Sequence, residues 1–142
     1  MKDSKDLLSS VVKTTQMGQV GIRCVMKNAV KSDMKKALKS QLKEYNAIEQ
    51  EAQSIASARG WQIEELDPAV KYMAGMMTRA RLMGQDVDSK IAAMMIQGNT
   101  RGTIKTLKNL HRYQKQDKCI SDLSQRLLDC ETENIRQMQG YL

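Results

Sequence analysis

Four stretches of this 142-residue chain place side chains suited to burial at alternating steps of three and four residues. That period belongs to a helix and not to a strand. In the first stretch Leu8, Val12, Thr15, Gln19, Ile22, Met26 and Ala29 share one stripe. It predicts a helix from Ser4 to Ala29, about 40 Å long at ~1.5 Å per residue. The second stripe is Leu38, Gln41, Tyr45, Ile48, Ala52 and Ile55. The third is wide, with Ala92, Ala93, Met95, Ile96, Asn99, Thr103, Thr106, Leu107 and Leu110. The fourth runs through Ile120, Leu123, Leu127, Cys130, Asn134 and Met138. With one proline and eight glycines, the chain also lacks the turn residues of a strand-rich protein.

The breaks between stripes carry end signals. Ser32 or Asp33 is the expected N-cap of the second helix, and Gly60 after Arg59 its stop. Asp67-Pro68 reads as an N-cap with a first-turn proline, opening a short helix to about Met83 that Gly84-Gln85-Asp86 ends. Asp88 or Ser89 is the expected cap of the next helix, to about Arg112, and a polar turn from Gln114 to Lys118 leads to the last. Gly18 and Gly21 sit inside the first helix at a cost of ~1 kcal/mol each. They suggest a neighbouring backbone close by.

Connection lengths bear on topology. The first two long helices, and the last two, are joined by tight turns and so are expected as antiparallel neighbours. The middle connection, about Gly60 to Val87, is long enough to cross the bundle. The expected fold is all-α: one domain over residues 1–142, a four-helix bundle of ferritin-like topology with a short extra helix in the crossover. An up-down-up-down bundle is the alternative.

Composition narrows the class. Hydrophobic residues at 41% and charged residues at 27% suit a globular domain with its own core. With eleven methionines and no phenylalanine, that core is aliphatic and pliable. No apolar run approaches the ~18–20 residues of a membrane span. Nothing resembling an apolar signal core follows the opening Met1 to Asp6. Cys24, Cys119 and Cys130 form no C-x-x-C pair and read as buried or half-buried thiols. The expected location is therefore a reducing cytoplasm.

The run Met17-Gly18-Gln19-Val20-Gly21-Ile22-Arg23 resembles the Gly-x-x-Gly-aromatic motif opening a bacterial ferritin-like bundle family of uncharacterised function. The segment from Ser32-Asp33-Met34 to Arg59-Gly60 is similar to that family's second helix. The stretch from Ile91 to Thr106, with Gln97-Gly98-Asn99, resembles its third long helix, where an acidic-glycine-acidic pattern is usual. The resemblance covers most of the chain. It implies a bundle interior that carries carboxylates and Glu-x-x-His pairs for two metal ions.

This chain departs from that set. It has one histidine, His111, and no Glu-x-x-His. Amides occupy stripe positions instead, and a neutral amide oxygen is a poor ligand for a transition metal. The interior polar candidates are Gln19, Gln41, Glu44, Asn99, Glu131 and Asn134. For the amides the main reading is a hydrogen-bonded network that sets register, with edge exposure and weak ligand binding as alternatives; with Glu44 and Glu131 they could hold a hard cation weakly, but not the usual metal pair. His111 reads as a surface residue near a helix C-terminus. No catalytic residues and no cofactor are indicated.

Two surface features remain. Met73, Met76, Met77, Met94 and Met95 read first as core packing. The alternative is a docking surface, with Trp61 and Tyr72 beside Met73, Met76 and Met77 as the candidate interface, including one between copies of the chain. The net charge is +7 and the pI near 9.4. Lys27, Lys31, Lys35, Lys39 and Lys43 form one basic stripe; Arg101, Lys105, Lys108, Arg112 and Lys115 form another. Both read as solvated faces, with anion binding to nucleic acid or lipid heads as the alternative. The function expected is structural or protein interaction, without catalysis. The competitors are residual metal or redox chemistry and binding to nucleic acid or an anionic membrane.

Overall fold

The first helix begins where Asp3 accepts the backbone N–H of Asp6 at 2.8 Å, satisfying one of the donors a helix N-terminus leaves open. The computed structural model describes residues 3–113 and 117–142. It holds five helices among them and no strand: α1 (Ser4–Met26), α2 (Ser32–Ala58), α3 (Pro68–Arg81), α4 (Val87–Arg112) and α5 (Lys118–Gln139). Lys115 and most of the expected Gln114–Lys118 turn lie outside the described residues.

Hydrogen bonds between the helix ends set their order. At one end, Ser4 of α1 meets Tyr113 after α4 at 2.7 Å. Asn109 donates to Ser10 at 2.6 Å. Arg59 after α2 pairs with Asp117 before α5. At the other end, the carboxylate of Asp88 accepts the N–H groups of Val30 and Lys31 at 2.8 and 2.9 Å. Toward that same end, Gln41 of α2 donates to Gln137 of α5 at 2.9 Å. The segment 59–86 therefore carries the chain from the end where α2 stops to the end where α4 starts. α3 packs on α1 along the way. α1 lies beside α2 and α4, and α5 beside the same two.

Leu8, Val12 and Ile22 of α1, Leu38, Tyr45 and Ile48 of α2, Ile91 and Ala92 of α4, and Ile120, Leu127 and Met138 of α5 are all buried. Burial of each large side chain contributes about 1.5–3 kcal/mol. The expected stripes mostly face this core. Three positions differ. Ala29 is buried but lies beyond α1, which stops at Met26. Leu107 is exposed, and Asn109 is buried in the same turn through its bond to Ser10. Cys119 is exposed, not buried, in the first turn of α5.

The caps also differ from expectation at two starts. α2 is capped at Lys31 with no side-chain cap; Asp88 reaches across to serve that turn instead. α4 starts at a left-handed Asp86 (φ 56°), a conformation that aspartate tolerates. Asp88 is thereby moved inside the first turn, where its charge suits the positive helix end. Asp67 caps α3 as read, accepting from Ala69 at 2.9 Å. Gly60, at φ +68°, ends the second helix where it was expected.

The glycines of α1 play unlike parts. A Cβ on Gly18 would stand 2.5 Å from the Tyr45 ring, so the close neighbour is a side chain and not a backbone. A Cβ on Gly21 would meet nothing within 4 Å. Gly18→Ala is therefore expected to destabilise by about 2 kcal/mol through overpacking. Gly21→Ala is expected to stabilise by up to about 1 kcal/mol through helix propensity. Urea denaturation followed by circular dichroism measures both, and equal midpoints for the two variants would contradict the Tyr45 contact.

Candidate functional site

Tyr45, Asn99, Glu131 and Asn134 come from three helices and meet in the middle of the bundle. The Tyr45 hydroxyl donates to Asn99 Oδ1 at 2.6 Å and lies 3.4 Å from Glu131 Oε2. Asn134 Nδ2 donates to Asn99 Oδ1 at 3.2 Å. Asn99 Nδ2 donates to the Met95 carbonyl of its own helix at 2.7 Å, so its orientation is set from within α4. Glu131 is 2% exposed, and its Oε1 has no hydrogen-bond partner. A Cβ on Gly102 would overlap the Glu131 carboxyl at 1.8 Å; α4 has a glycine there because the acid occupies that space.

The electrostatics follow from burial. Burial pushes the Glu131 carboxyl up to about 8, while Tyr45, Thr106 and Lys105 act in the opposite direction. Glu131 is thus mostly neutral near pH 7. Burial also raises the Tyr45 hydroxyl, and the Glu131 and Cys130 groups add to it, so the phenol keeps its proton. Cys130 rises to about 12, first by burial and then through Glu44 and Glu131, which makes it a poor nucleophile. The cluster stores protons and presents hydrogen-bonding atoms. It pairs no nucleophile with a base.

Three of the six interior candidates, Asn99, Glu131 and Asn134, are brought together. The other three are elsewhere. Gln19 donates to Glu49 at 2.8 Å, next to Gln16, which donates to the same carboxylate at 2.9 Å. Gln41 bonds Gln137. Glu44 is half-exposed and bound by Arg126 at 2.9 Å. The resemblance implies a metal pair, and this donor set does not fit one. Around Glu131 stand a phenol, two amides and a threonine hydroxyl, all neutral. Among the described residues no three His, Cys, Asp or Glu side chains gather as a metal site. His111 is exposed in the last turn of α4, twelve residues and so about 18 Å of helix from Asn99.

Beside this cluster a cavity of about 500 Å³ opens between α1, α3 and α4, with Tyr45, Asn99 and Glu131 among its lining residues. Gly18 and Gly21 of α1 face Gly98 and Gly102 of α4 across it. Cβ atoms at Gly21 and Gly98 would meet nothing within 4 Å, so bare backbone forms part of the wall. Ala74, Met77 and Thr78 of α3 close it from outside. Neither Gly98 nor Gly102 stands out as part of a wall in the sequence, although two glycine pairs at helical spacing were there to be compared. A second groove, by Glu44, Asp122, Arg126 and Cys130, is open and shallow. Its arginine is already engaged by Glu44 and Glu51.

The surface candidates divide. Met95 is buried and Met94 half-buried, whereas Tyr72, Met73, Met76 and Met77 are exposed on α3, whose only buried residue is Thr78. Core packing is therefore corrected for the α3 methionines. Trp61 is half-buried and carries the Arg59 guanidinium 5.1 Å above its ring. Arg101, Lys105, Lys108 and Arg112 are exposed, and the first two also line the cavity. Tyr113 is buried against Ser4, so it offers no stacking surface beside that stripe. No helix among the described residues is long and apolar enough to cross a membrane. Compared with known protein families, curated proteins and solved structures, the chain matches none.

A buried acid with a raised pKa makes stability fall as pH rises. Below about pH 4.5, Glu131 is protonated folded and unfolded alike. Between there and about pH 8 only the folded state keeps the proton, so unfolding releases it and the folded state loses ground. Tyr45 on α2, which faces it, keeps its proton through that window. Glu131→Gln is expected to flatten this slope. The stability difference between the two proteins should change by about 2–4 kcal/mol from pH 5 to pH 8. Parallel denaturation curves across that range would sink the assignment.

Proposed function

We propose that this chain is a non-catalytic helical bundle of ferritin-like topology that works by binding a small organic molecule between α1, α3 and α4. The topology reading is supported by the 59–86 crossover and by the end-to-end contacts of Asp88 and of Arg59 with Asp117. One observation carries the binding reading: Glu131, which lines a cavity of about 500 Å³, holds a buried oxygen without a hydrogen-bond partner. Binding cavities typically join apolar walls to a few convergent polar groups, at about 300–1,000 Å³. An unpaired buried acceptor costs about 1–3 kcal/mol, and a ligand donor would recover it.

Anilinonaphthalene sulfonate, whose fluorescence rises in apolar surroundings, tests this reading. Saturable one-site uptake by the native protein is expected. Gly98→Leu puts a side chain into the open space and is expected to reduce the uptake at least tenfold while leaving the helical content unchanged. Equal uptake by both proteins would refute it.

The outer face of α3 favours a second role, contact with another copy of the chain. Tyr72 is 72% exposed, with Met73, Met76 and Met83 also in solvent, and contiguous apolar patches of this kind mark interaction sites. Light scattering at high protein concentration should show a dimer that Tyr72→Glu with Met76→Glu dissociates. A monomer at every concentration would dismiss this role.

A further inference from the structure

The residues around the cavity are not balanced in charge. Lys13, Arg81, Arg101 and Lys105 line it, and the one acid in the lining is Glu131. Lys13 already holds Glu64 at 2.9 Å, and Lys105 lies in the field of Glu131. Arg81 and Arg101 are exposed and form no ion pair among the described residues. The cationic groups therefore lie at the mouth and the acid at the inner wall.

Between these two ends the walls are apolar and conformable. Met17, Leu66, Met77, Met94 and Met95 are among the residues that line it, and thioether side chains repack around irregular shapes. The bare backbone at Gly21 and Gly98 leaves room for a chain to lie along the helices. At the inner wall the hydrogen bonding is nearly complete. Tyr45 has committed its proton to Asn99, and both amide groups are engaged. The open valence is Glu131 Oε1. Because Glu131 is mostly neutral near pH 7, an uncharged hydroxyl matches it, either donating to it or accepting from it.

We infer that the cavity takes an amphipathic organic anion: an aliphatic chain with an acid group at the Arg81–Arg101 mouth and a hydroxyl that reaches Glu131. This rests on the reading of the cavity as a binding site and adds the chemistry of its ligand. The acid gains the attraction of two side chains with no competing carboxylate. The chain removes apolar surface from water on both partners. The hydroxyl satisfies Glu131 Oε1, one of the buried polar atoms that the fold leaves without a hydrogen-bond partner.

Displacement of anilinonaphthalene sulfonate separates these statements. The competitors are ω-hydroxy fatty acids from octanoic to hexadecanoic length, the plain fatty acids and the matching diols, all below their micellar concentrations. The best ω-hydroxy acid is expected to compete at least tenfold more tightly than its diol and several-fold more tightly than its plain acid. Arg81→Ala with Arg101→Ala should erase the first difference and leave the diol unchanged. Glu131→Leu should erase the second difference. A diol as tight as the acid would overturn the anionic ligand while leaving the cavity reading intact. A plain acid as tight as the hydroxy acid would overturn the role of Glu131. Dye bound equally by the native protein, Gly98→Leu and Gly21→Leu would overturn the binding site itself.

Discussion

The bundle is organised around one carboxyl group taken out of water. Among the described residues no cation is shown hydrogen-bonded to Glu131, although Lys105 lies in its field, and burial strongly disfavours the ionised acid. The fold accommodates it by keeping it mostly neutral and surrounding it with uncharged polar groups from α2, α4 and α5. Each requirement restricts a neighbour. Gly102 must lack a side chain so that the acid has space. Asn99 must turn its oxygen toward Tyr45, which its own bond to the Met95 carbonyl ensures. Tyr45 in turn occupies the space above Gly18. A chain of contacts from α5 through α4 and α2 to α1 thus sets the register of four helices at one level of the bundle.

This arrangement also explains the cavity. Two helices that give up side chains to seat large polar groups on a neighbour cannot close against each other along the whole of that face. Gly18 and Gly102 are filled by Tyr45 and Glu131, while Gly21 and Gly98, one turn further along the same helices, are filled by nothing. α3 covers the opening with a single buried residue of its own, Thr78. An element held by so little buried surface belongs to the low-stability end of a structure, where local opening costs least. Its methionines suit a cover that must fit whatever lies beneath it.

Much of the helical framework could be read from period alone. Stripes such as Leu38, Gln41, Tyr45, Ile48 and Ala52 face inward because a helix has only one way to bury them together. Local end signals were legible where the chemistry is local, as at Asp67-Pro68 and Gly60. They failed where a distant partner intervened. Asp88 looks like the cap of its own helix and instead serves the turn between α1 and α2, fifty-seven and fifty-eight residues away. Leu107 lies on the apolar stripe yet is exposed, because Asn109 in the same turn is drawn inward by Ser10. At the site, period identified Asn99 and Asn134 as inward-facing but could not show that Gln19 and Gln41 serve other partners. Glu131, one position from the Cys130 stripe, is buried more deeply than the cysteine because Gly102 faces it across the helix pair. A contact that depends on the absence of a side chain leaves little trace in a hydrophobic pattern.

The same geometry bears on whether a metal or an organic molecule suits the proposed site better. A pair of metal ions needs several carboxylates converging on one point, whose repulsion the cations themselves relieve. Here there is one carboxyl, and the environment already relieves its charge by holding a proton on it. A cation entering would have to displace that proton and would then find neutral oxygens as its remaining ligands. An uncharged hydroxyl displaces nothing. On the proposed reading it meets an acid that can accept or donate, beside Tyr45 and Asn99, whose hydrogen bonds are already made, and the cations at the mouth hold whatever negative charge it carries. On the proposed reading the neutral interior is therefore more than a poor metal site: it favours the kind of molecule that a metal site would reject.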